Sequence, residues 1–224
     1  MAADDLAQLS SKMRSDWDQR ARENAQFYVN TASAEWNDAD FYETGERTIA
    51  EEILTDMGNI CQGTAPEQMK VLEIGCGAGR LTRALSKVFG QVHAVDVSAE
   101  MIQVARSKLA DRPNVHLYVN NGVDLSVLPR MTFDFAFSFI VFQHIPSLEV
   151  ISSYCREVAT RLRPGGLFKF QVQGYKDMAE SHDTWLGVGI SEPEAQRLAQ
   201  DSEFELRYSY GAGTQYYWLW FFKR

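Results

Sequence analysis

The chain has 224 residues, of which 45% are apolar and 23% are charged, a composition of folded globular proteins and not of disordered ones. Its formal net charge is −8 at pH 7 and no basic stripe interrupts it, so we expect no nucleic-acid partner. No apolar run approaches the ~20 residues of a membrane span, and the N-terminus lacks the basic start of a signal peptide, so we expect no membrane association.

Two amphipathic helices are predicted before the first strand. Between residue 4 and about residue 28, apolar side chains recur every three or four residues. A second helical pattern follows Gly45 and ends in the breaker region from Gly63 to Pro66. We therefore assign residues 1–66 to an N-terminal helical extension and residues 67–224 to the main domain.

Short apolar runs alternate with helical patterns from Lys70 onward. The predicted strands are 70–74, 91–96, 115–119, 133–139 and 166–173, and the predicted helices are 79–89, 98–110 and 147–162. This alternation is typical of an α/β fold with a doubly wound parallel sheet. Two further strand-like runs, EFELRYSY and QYYWLWFF, are separated only by GAGT and predict an antiparallel hairpin. The sequence thus predicts a mostly parallel seven-stranded sheet with an antiparallel C-terminal hairpin.

The first strand leads into a glycine-rich turn that predicts a ligand site. Gly75, Gly77 and Gly79 follow the strand, and an open α/β sheet binds ligands at such a turn, where bare backbone allows close approach. A dinucleotide-binding fingerprint from Gly75 needs glycine at position 80, where this chain has Arg80. Asp96 closes the second strand, and its carboxylate can accept both hydroxyls of a ribose. A nucleoside ligand is therefore predicted.

These residues resemble motifs of the class I S-adenosylmethionine-dependent methyltransferases, over about residues 68–224. VLEIGCGAGR resembles the first motif of that family, VHAVDVSAEMI its acidic second strand and NNGVDL its third-strand turn. FDFAFSFIVFQHI resembles its fourth strand, and LRPGG the start of its fifth. The resemblance implies a Rossmann-like fold, S-adenosyl-L-methionine as cofactor and methyltransferase activity.

The resemblance also implies which residues bind the cofactor. The glycine turn would approach the methionine part, Asp96 would bind ribose, and Val97 and Met101 would flank adenine. Many relatives carry an acid where this chain has NNG, so the contact to the adenine edge is expected at Asn121 or at backbone. The implied cofactor-binding residues are Glu73, Gly75, Cys76, Gly77, Gly79, Asp96, Val97, Met101, Asn121, Gly122, Phe139 and Ile140.

Candidate residues for the acceptor side are fewer. His144 follows the fourth strand, where a general base would stand, and a packing role in the loop before Pro146 is the alternative interpretation. Trp17, Arg20 and Tyr28 share one face of the first helix and are candidates for a lid or substrate contact, with plain packing as the alternative. Trp185 is a candidate for the opposite wall, and His182, in the irregular segment 175–190, is a candidate for substrate contact. No metal is expected, because no histidine pair has ligand spacing and the three cysteines are widely separated.

The leading hypothesis is a cytoplasmic enzyme that transfers a methyl group from S-adenosylmethionine to a small molecule by in-line displacement. A nicotinamide-dependent oxidoreductase is the first alternative, disfavoured by Arg80 and by the terminal hairpin. A catalytically silent S-adenosylmethionine-binding protein is the second alternative, since such motifs establish binding better than turnover. The sequence leaves the acceptor and the oligomeric state open.

Overall fold

The structure is a computed structural model that describes residues 3–175 and 184–224. Helices are connected to strands in the alternation that the sequence predicts. The helices are α1 (Ala3–Val29), α2 (Asp38–Glu52), α3 (Met57–Cys61), α4 (Arg80–Leu85), α5 (Ala99–Lys108), α6 (Leu148–Arg161) and α7 (Glu192–Asp201). The strands are β1 (Lys70–Ile74), β2 (Gln91–Asp96), β3 (Val115–Val119), β4 (Phe133–Ser138), β5 (Leu162–Val172), β6 (Phe204–Tyr210) and β7 (Tyr217–Lys223).

Seven strands form one sheet in the order β3-β2-β1-β4-β5-β7-β6. The first five strands pair in parallel, while β7 is antiparallel to both β5 and β6. The predicted seven-stranded, mostly parallel sheet with an antiparallel C-terminal hairpin is therefore confirmed. Because β2 and β4 flank β1 on opposite sides, the carboxyl end of β1 is the point where the strand order reverses, and ligands bind at such points.

Apolar side chains cover both faces of the sheet. Successive strand residues point to opposite faces, so Val71 packs in one core cluster and Leu72 in another. Leu9 and Met13 of α1 belong to the cluster that also contains α6, and Ile49 of α2 belongs to the cluster on the other side. The N-terminal helices thus contribute to both core clusters. No helix in the described ranges is long and apolar enough to cross a membrane.

Helix α1 carries a kink at Asn24. The Asn24 backbone leaves the helical region, with φ −168° and ψ 89°. Its side-chain oxygen accepts from the Phe27 N–H at 3.0 Å, and its amide donates to the Ala34 carbonyl at 3.1 Å. Asn24 therefore acts as a cap for the last turn of α1, which ends at Val29 and is set apart from the rest of the helix.

Two predicted element starts were wrong by four residues or more, and α4 ends at Leu85 and not at residue 89. Helix α2 begins at Asp38 and not after Gly45, because the Asn37 side chain accepts from the Asp40 N–H and caps the helix there. Gly45 is interior to α2, where an added Cβ would stand 2.3 Å from the Arg80 carbonyl oxygen. Strand β5 begins at Leu162 and not at residue 166, because the predicted turn forms an irregularity within the strand.

The contact at Gly45 predicts an effect on stability. We expect Gly45→Ala to lower the free energy of unfolding by about 1 to 3 kcal/mol, because the methyl group overlaps rigid backbone. Gly58→Ala in α3 is the matched control, since nothing lies within 4 Å of its Cβ position, and we expect no loss there. Urea denaturation measures both. Equal stability of the two variants would mean that α2 does not pack on Arg80 as described.

Candidate functional site

The turn after β1 is built from glycines in left-handed conformations. Gly75 and Gly77 have φ values of 77° and 51°. A Cβ on Gly75 would stand 2.2 Å from the Val141 side chain, and one on Gly77 would stand 2.6 Å from the Val29 side chain. Both positions need glycine for backbone conformation and for space. The last turn of α1 therefore lies directly over the glycine turn.

Gly79 has a different role from the predicted one. Its φ is 83°, but an added Cβ would meet Leu109 at 2.8 Å, next to Ala105 of α5. Gly79 does not line the cavity beside the glycine turn. It allows close packing between α4 and α5, and its approach to the ligand stays a prediction.

Asp96 connects the glycine turn to α5. One carboxylate oxygen accepts from the Gly77 N–H at 2.8 Å, and the other accepts from the Ser98 N–H at 2.9 Å. Burial raises the pKa of Asp96 to about 6, against the lowering effect of these two N–H groups. A carboxylate has about four acceptor sites, so capacity remains for the two hydroxyls of a ribose.

Glu73 lies deeper, at the end of β1. Its side chain is 2% exposed and accepts from the Thr82 hydroxyl at 2.6 Å, which ties α4 to β1. Burial raises the pKa of Glu73 to about 7. The carboxyl group therefore titrates close to neutral pH.

A cavity of about 100 Å³, which we call the first cavity, lies beside the glycine turn at the carboxyl ends of β1, β2 and β4. It brings together most of the residues predicted for the cofactor. The predicted residues that line it are Glu73, Gly75, Cys76, Gly77, Asp96, Val97, Met101, Gly122, Phe139 and Ile140. Trp17, Tyr28 and His144, predicted for the acceptor side, line it as well.

Asn121 does not line the first cavity. Its side-chain oxygen accepts from the N–H groups of Val123 and Asp124, both at 2.9 Å, so it caps the loop instead. The neighbouring Asn120 faces the cavity, and its amide donates to the Tyr154 hydroxyl at 2.7 Å. The contact predicted for Asn121 stays a prediction, and Asn120 is the residue of this turn that lines the cavity.

Other lining residues were missed by sequence reasoning. Met13 belongs to the apolar stripe of α1, which indicated burial and not a ligand. Arg80 was noted only for breaking a dinucleotide fingerprint. Val29, Val141 and Tyr154 reach the cavity from α1, from the loop after β4 and from α6, and no local pattern marks them.

His144 lies in a short 3₁₀ turn after β4 and is 8% exposed. Its Nδ1 contacts the Trp185 carbonyl oxygen, which can only accept, so we assign the proton to Nδ1. Its Nε2 lies 3.3 Å from the Gln143 side-chain nitrogen, and the Gln143 oxygen accepts from Gln171 at 2.8 Å. With the proton on Nδ1, Nε2 is the nitrogen that can accept from the Gln143 amide.

The residues predicted for a lid form one cluster. The Arg20 guanidinium lies 4.7 Å from the Trp17 ring and 5.2 Å from the Trp185 ring, and it donates to the Thr184 carbonyl at 3.3 Å. Tyr28 meets Trp185 edge-on at 5.9 Å between ring centroids. Helix α1 is therefore fastened over His144 by aromatic and cation–π contacts. His182, another candidate for substrate contact, lies outside the described residues.

A second cavity of about 500 Å³ adjoins the first. Its polar walls come from α2, from the turn at His144 and from the strand ends near Gln173 and Gln215. Residues that line both cavities are Tyr28, Val29, Arg80, Phe139, Ile140 and His144. In the described part of the chain, no group of three His, Cys, Asp or Glu side chains is placed to hold a metal ion.

Fold and site together define a Rossmann-like α/β protein with a nucleoside-type site. Residues 71–166 match a family model described as a methyltransferase domain. The chain is 28% identical over 145 residues to a malonyl-[acyl-carrier protein] O-methyltransferase of Halalkalibacterium halodurans, covering 62% of this chain and 52% of the relative. It is 31% identical over 102 residues to a ubiquinone biosynthesis O-methyltransferase of Xanthomonas axonopodis pv. citri, covering 45% and 41%.

Among solved structures, the fold is similar to magnesium protoporphyrin IX methyltransferase from Synechocystis PCC 6803 with bound SAH. The TM-score is 0.68 at 15% identity, covering 96% of this chain and 99% of that one. The chain is thus similar to a methyltransferase domain over residues 71–166, and its fold is similar to that of solved S-adenosylmethionine-dependent methyltransferases. It spans about half the length of the two sequence relatives.

Titration of Glu73 predicts a pH-dependent stability. Its folded-state pKa of about 7 lies above the ordinary 4.5, so the folded protein holds this proton more tightly than the unfolded chain. The resulting stabilisation is complete below pH 4.5 and is lost as the pH rises through 7. We expect Glu73→Gln to remove this loss, which amounts to about 1 to 3 kcal/mol at pH 8.5.

Urea denaturation between pH 5 and pH 8.5 measures the effect. Glu67→Gln is the matched control, because the Glu67 side chain is exposed. Parallel pH profiles for the wild type and Glu73→Gln would show that Glu73 is ionised across this range and that burial does not govern its pKa.

Proposed function

We propose that this protein transfers the methyl group of S-adenosylmethionine to a small-molecule acceptor. One observation carries the proposal. The glycine turn and Asp96 line the same cavity, and that cavity meets the second one at His144. The family supports the donor, and the two sequence relatives are named for O-methylation of small or carrier-bound molecules.

The residues of the first cavity fit S-adenosylmethionine, which supplies an electrophilic methyl group on sulfur. Asp96 would accept the two ribose hydroxyls with the acceptor sites that Gly77 and Ser98 leave free. Val97 and Met101 would flank adenine, with Gly122 and Asn120 at its edge. Phe139 and Ile140 would lie beside the methionine part, together with the glycine turn. In this proposal Asn120 takes the place that Asn121 was expected to have.

Binding would require the last turn of α1 to move. Val29 lies over Gly77 at the distance where a side chain on that glycine would clash, and Val141 lies over Gly75 in the same way. The kink at Asn24 separates this turn from the rest of α1. We propose that the turn opens for the cofactor and closes again, so that water is excluded from the reacting atoms.

The acceptor would occupy the second cavity, and His144 would act as its base. The ring lines both cavities and presents Nε2 as an acceptor, while the Trp185 carbonyl holds the Nδ1 proton. An acceptor O–H or N–H would displace the Gln143 amide and lose its proton to Nε2 as the acceptor atom bonds to the methyl carbon. The bond between that carbon and the sulfonium sulfur would break at the same time, with neutral S-adenosylhomocysteine as the leaving group. Positioning by the cavity walls would supply much of the rate. The alternative is that His144 only holds Trp185.

The three cysteines form no disulfide with one another. This supports the proposal of a cytoplasmic location, in a reducing compartment.

Cofactor binding tests the first cavity. We expect S-adenosylhomocysteine to raise the melting temperature while NAD does not, because a specific ligand stabilises the folded state by mass action. We expect Asp96→Ala to weaken binding by about 1 to 3 kcal/mol, since the ribose hydroxyls lose a charged acceptor. Calorimetry measures the affinity of the wild type and of Asp96→Ala for S-adenosylhomocysteine. Asp111→Ala is the matched control, because Asp111 belongs to an exposed ion pair with Arg83. Unchanged affinity in Asp96→Ala would remove Asp96 from the site.

Turnover tests the role of His144. Label transfer from S-adenosylmethionine to a panel of phenols, amines, thiols and carboxylates identifies an acceptor, and no transfer to any of them would favour a silent binding protein.

Once an acceptor is identified, we expect His144→Gln and His144→Ala to lower kcat by about 10²- to 10⁴-fold with normal S-adenosylhomocysteine binding. Glutamine keeps a donor for the Trp185 carbonyl, so full turnover in His144→Gln would assign a packing role. His116→Ala, at an exposed histidine of β3, is the control.

A further inference from the structure

Arg80 is a buried cation without an acidic partner. Its side chain is 6% exposed at the start of α4. Its Nη1 donates only to two hydroxyls, Thr48 at 3.1 Å and Thr44 at 3.4 Å, and its Nε is buried without any hydrogen bond. Within residues 3–175 and 184–224, no carboxylate lies at ion-pair distance from this guanidinium.

Lys169 is another buried cation in this fold, and unlike Arg80 it has acidic partners. Its side chain is 2% exposed, and its ammonium lies 3.5 Å from carboxylates of both Glu52 and Asp56. It also lies 4.6 Å from the Trp220 ring centroid. An unpaired buried charge is costly, so the absence of such partners around Arg80 requires another explanation.

Glu73 is the acid that acts electrostatically on Arg80, but it does not neutralise the charge of the guanidinium. Glu73 accepts from Thr82, and its own pKa of about 7 leaves it partly protonated at neutral pH. Burial lowers the pKa of Arg80 to about 10, with Glu73 opposing that shift. The guanidinium therefore keeps its proton and its positive charge at neutral pH.

The Arg80 guanidinium lies at the wall of the second cavity. Arg80 lines both cavities, but Thr44 and Thr48, which hold its Nη1, line only the second. Arg47 contributes another positive charge to that wall, and Glu51 is the one acid among the described lining residues. The second cavity is thus positive on one side.

We propose that Arg80 binds a carboxylate of the acceptor in the second cavity, so that the acceptor is a small molecule carrying a carboxylate. A guanidinium forms directional, charge-assisted hydrogen bonds to carboxylates, which would satisfy donors that the protein leaves free. This inference rests on the proposed function, because it takes the second cavity as the acceptor site. The carboxylate of the cofactor is the other possible source of the same chemistry.

The experiment uses matched ligand pairs on the full chain saturated with S-adenosylhomocysteine. The pairs are 3,4-dihydroxybenzoate with catechol, and 4-hydroxyphenylacetate with 4-methylphenol, and calorimetry measures each affinity. We expect the carboxylate member of at least one pair to bind about ten- to a hundredfold more tightly, and Arg80→Gln to abolish that preference. Arg83→Gln is the control on the same helix, since Arg83 pairs with Asp111 and lines neither cavity.

A second arm separates the two sources of carboxylate. S-adenosylhomocysteine carries the amino-acid carboxylate and 5′-methylthioadenosine lacks it, so an Arg80→Gln protein that loses affinity for the first alone would assign Arg80 to the cofactor and overturn the acceptor proposal. No carboxylate preference in the wild type, or a preference that persists in Arg80→Gln, would also overturn it. Arg80→Lys keeps the charge without the forked geometry, and we expect it to retain part of the preference. A wild type that fails to bind S-adenosylhomocysteine would instead refute the proposed function.

Discussion

The hydrogen bond from the Gly77 N–H to the Asp96 carboxylate joins two strands at the edge of the sheet where their order reverses. The second oxygen of the same carboxylate accepts from Ser98 at the start of α5. One side chain therefore fixes the glycine turn after β1 and the helix that follows β2. The first cavity is the space between these two elements, and its position depends on that carboxylate staying where the strand ends.

The N-terminal helices complete the site that the sheet begins. Asp18 of α1 accepts from the Ser98 hydroxyl at 2.6 Å, so α1 is anchored to the same N-cap residue of α5 whose N–H donates to Asp96. Trp17 and Arg20, next to Asp18, reach the segment at Trp185, and Val29 at the end of α1 covers Gly77. A helix that is anchored before its kink can let its last turn move without losing its main contacts. This arrangement agrees with a ligand that must pass under that turn.

Sequence reasoning predicted the sheet and the position of the first cavity, but it missed several of the residues that line this cavity. Strand period and the βαβ alternation are local signals, so the bounds of β1, β2 and β3 were predicted to the residue. Asn121 was predicted from its place in a turn that resembles a family motif, whereas the direction of each side chain there depends on how the chain leaves β3. Val29 and Tyr154 could not be predicted, because only tertiary packing brings α1 and α6 to the glycine turn. Gly45 looked like a helix start, although glycine was needed there for the approach of Arg80.

The charge states of the buried acids and of Arg80 around the site depend more on burial than on ion pairs. Glu73 and Asp96 are acids whose ionised forms are disfavoured by the apolar surroundings that hold the glycine turn in place. Arg80 lines the first cavity together with these acids and also lines the second cavity, and its two hydroxyl partners do not cancel its charge. A carboxylate entering the second cavity would meet an uncompensated guanidinium, while a neutral molecule would leave that charge as it is. The burial of Arg80 beside uncharged partners is therefore the physical basis of the proposed preference for anionic ligands.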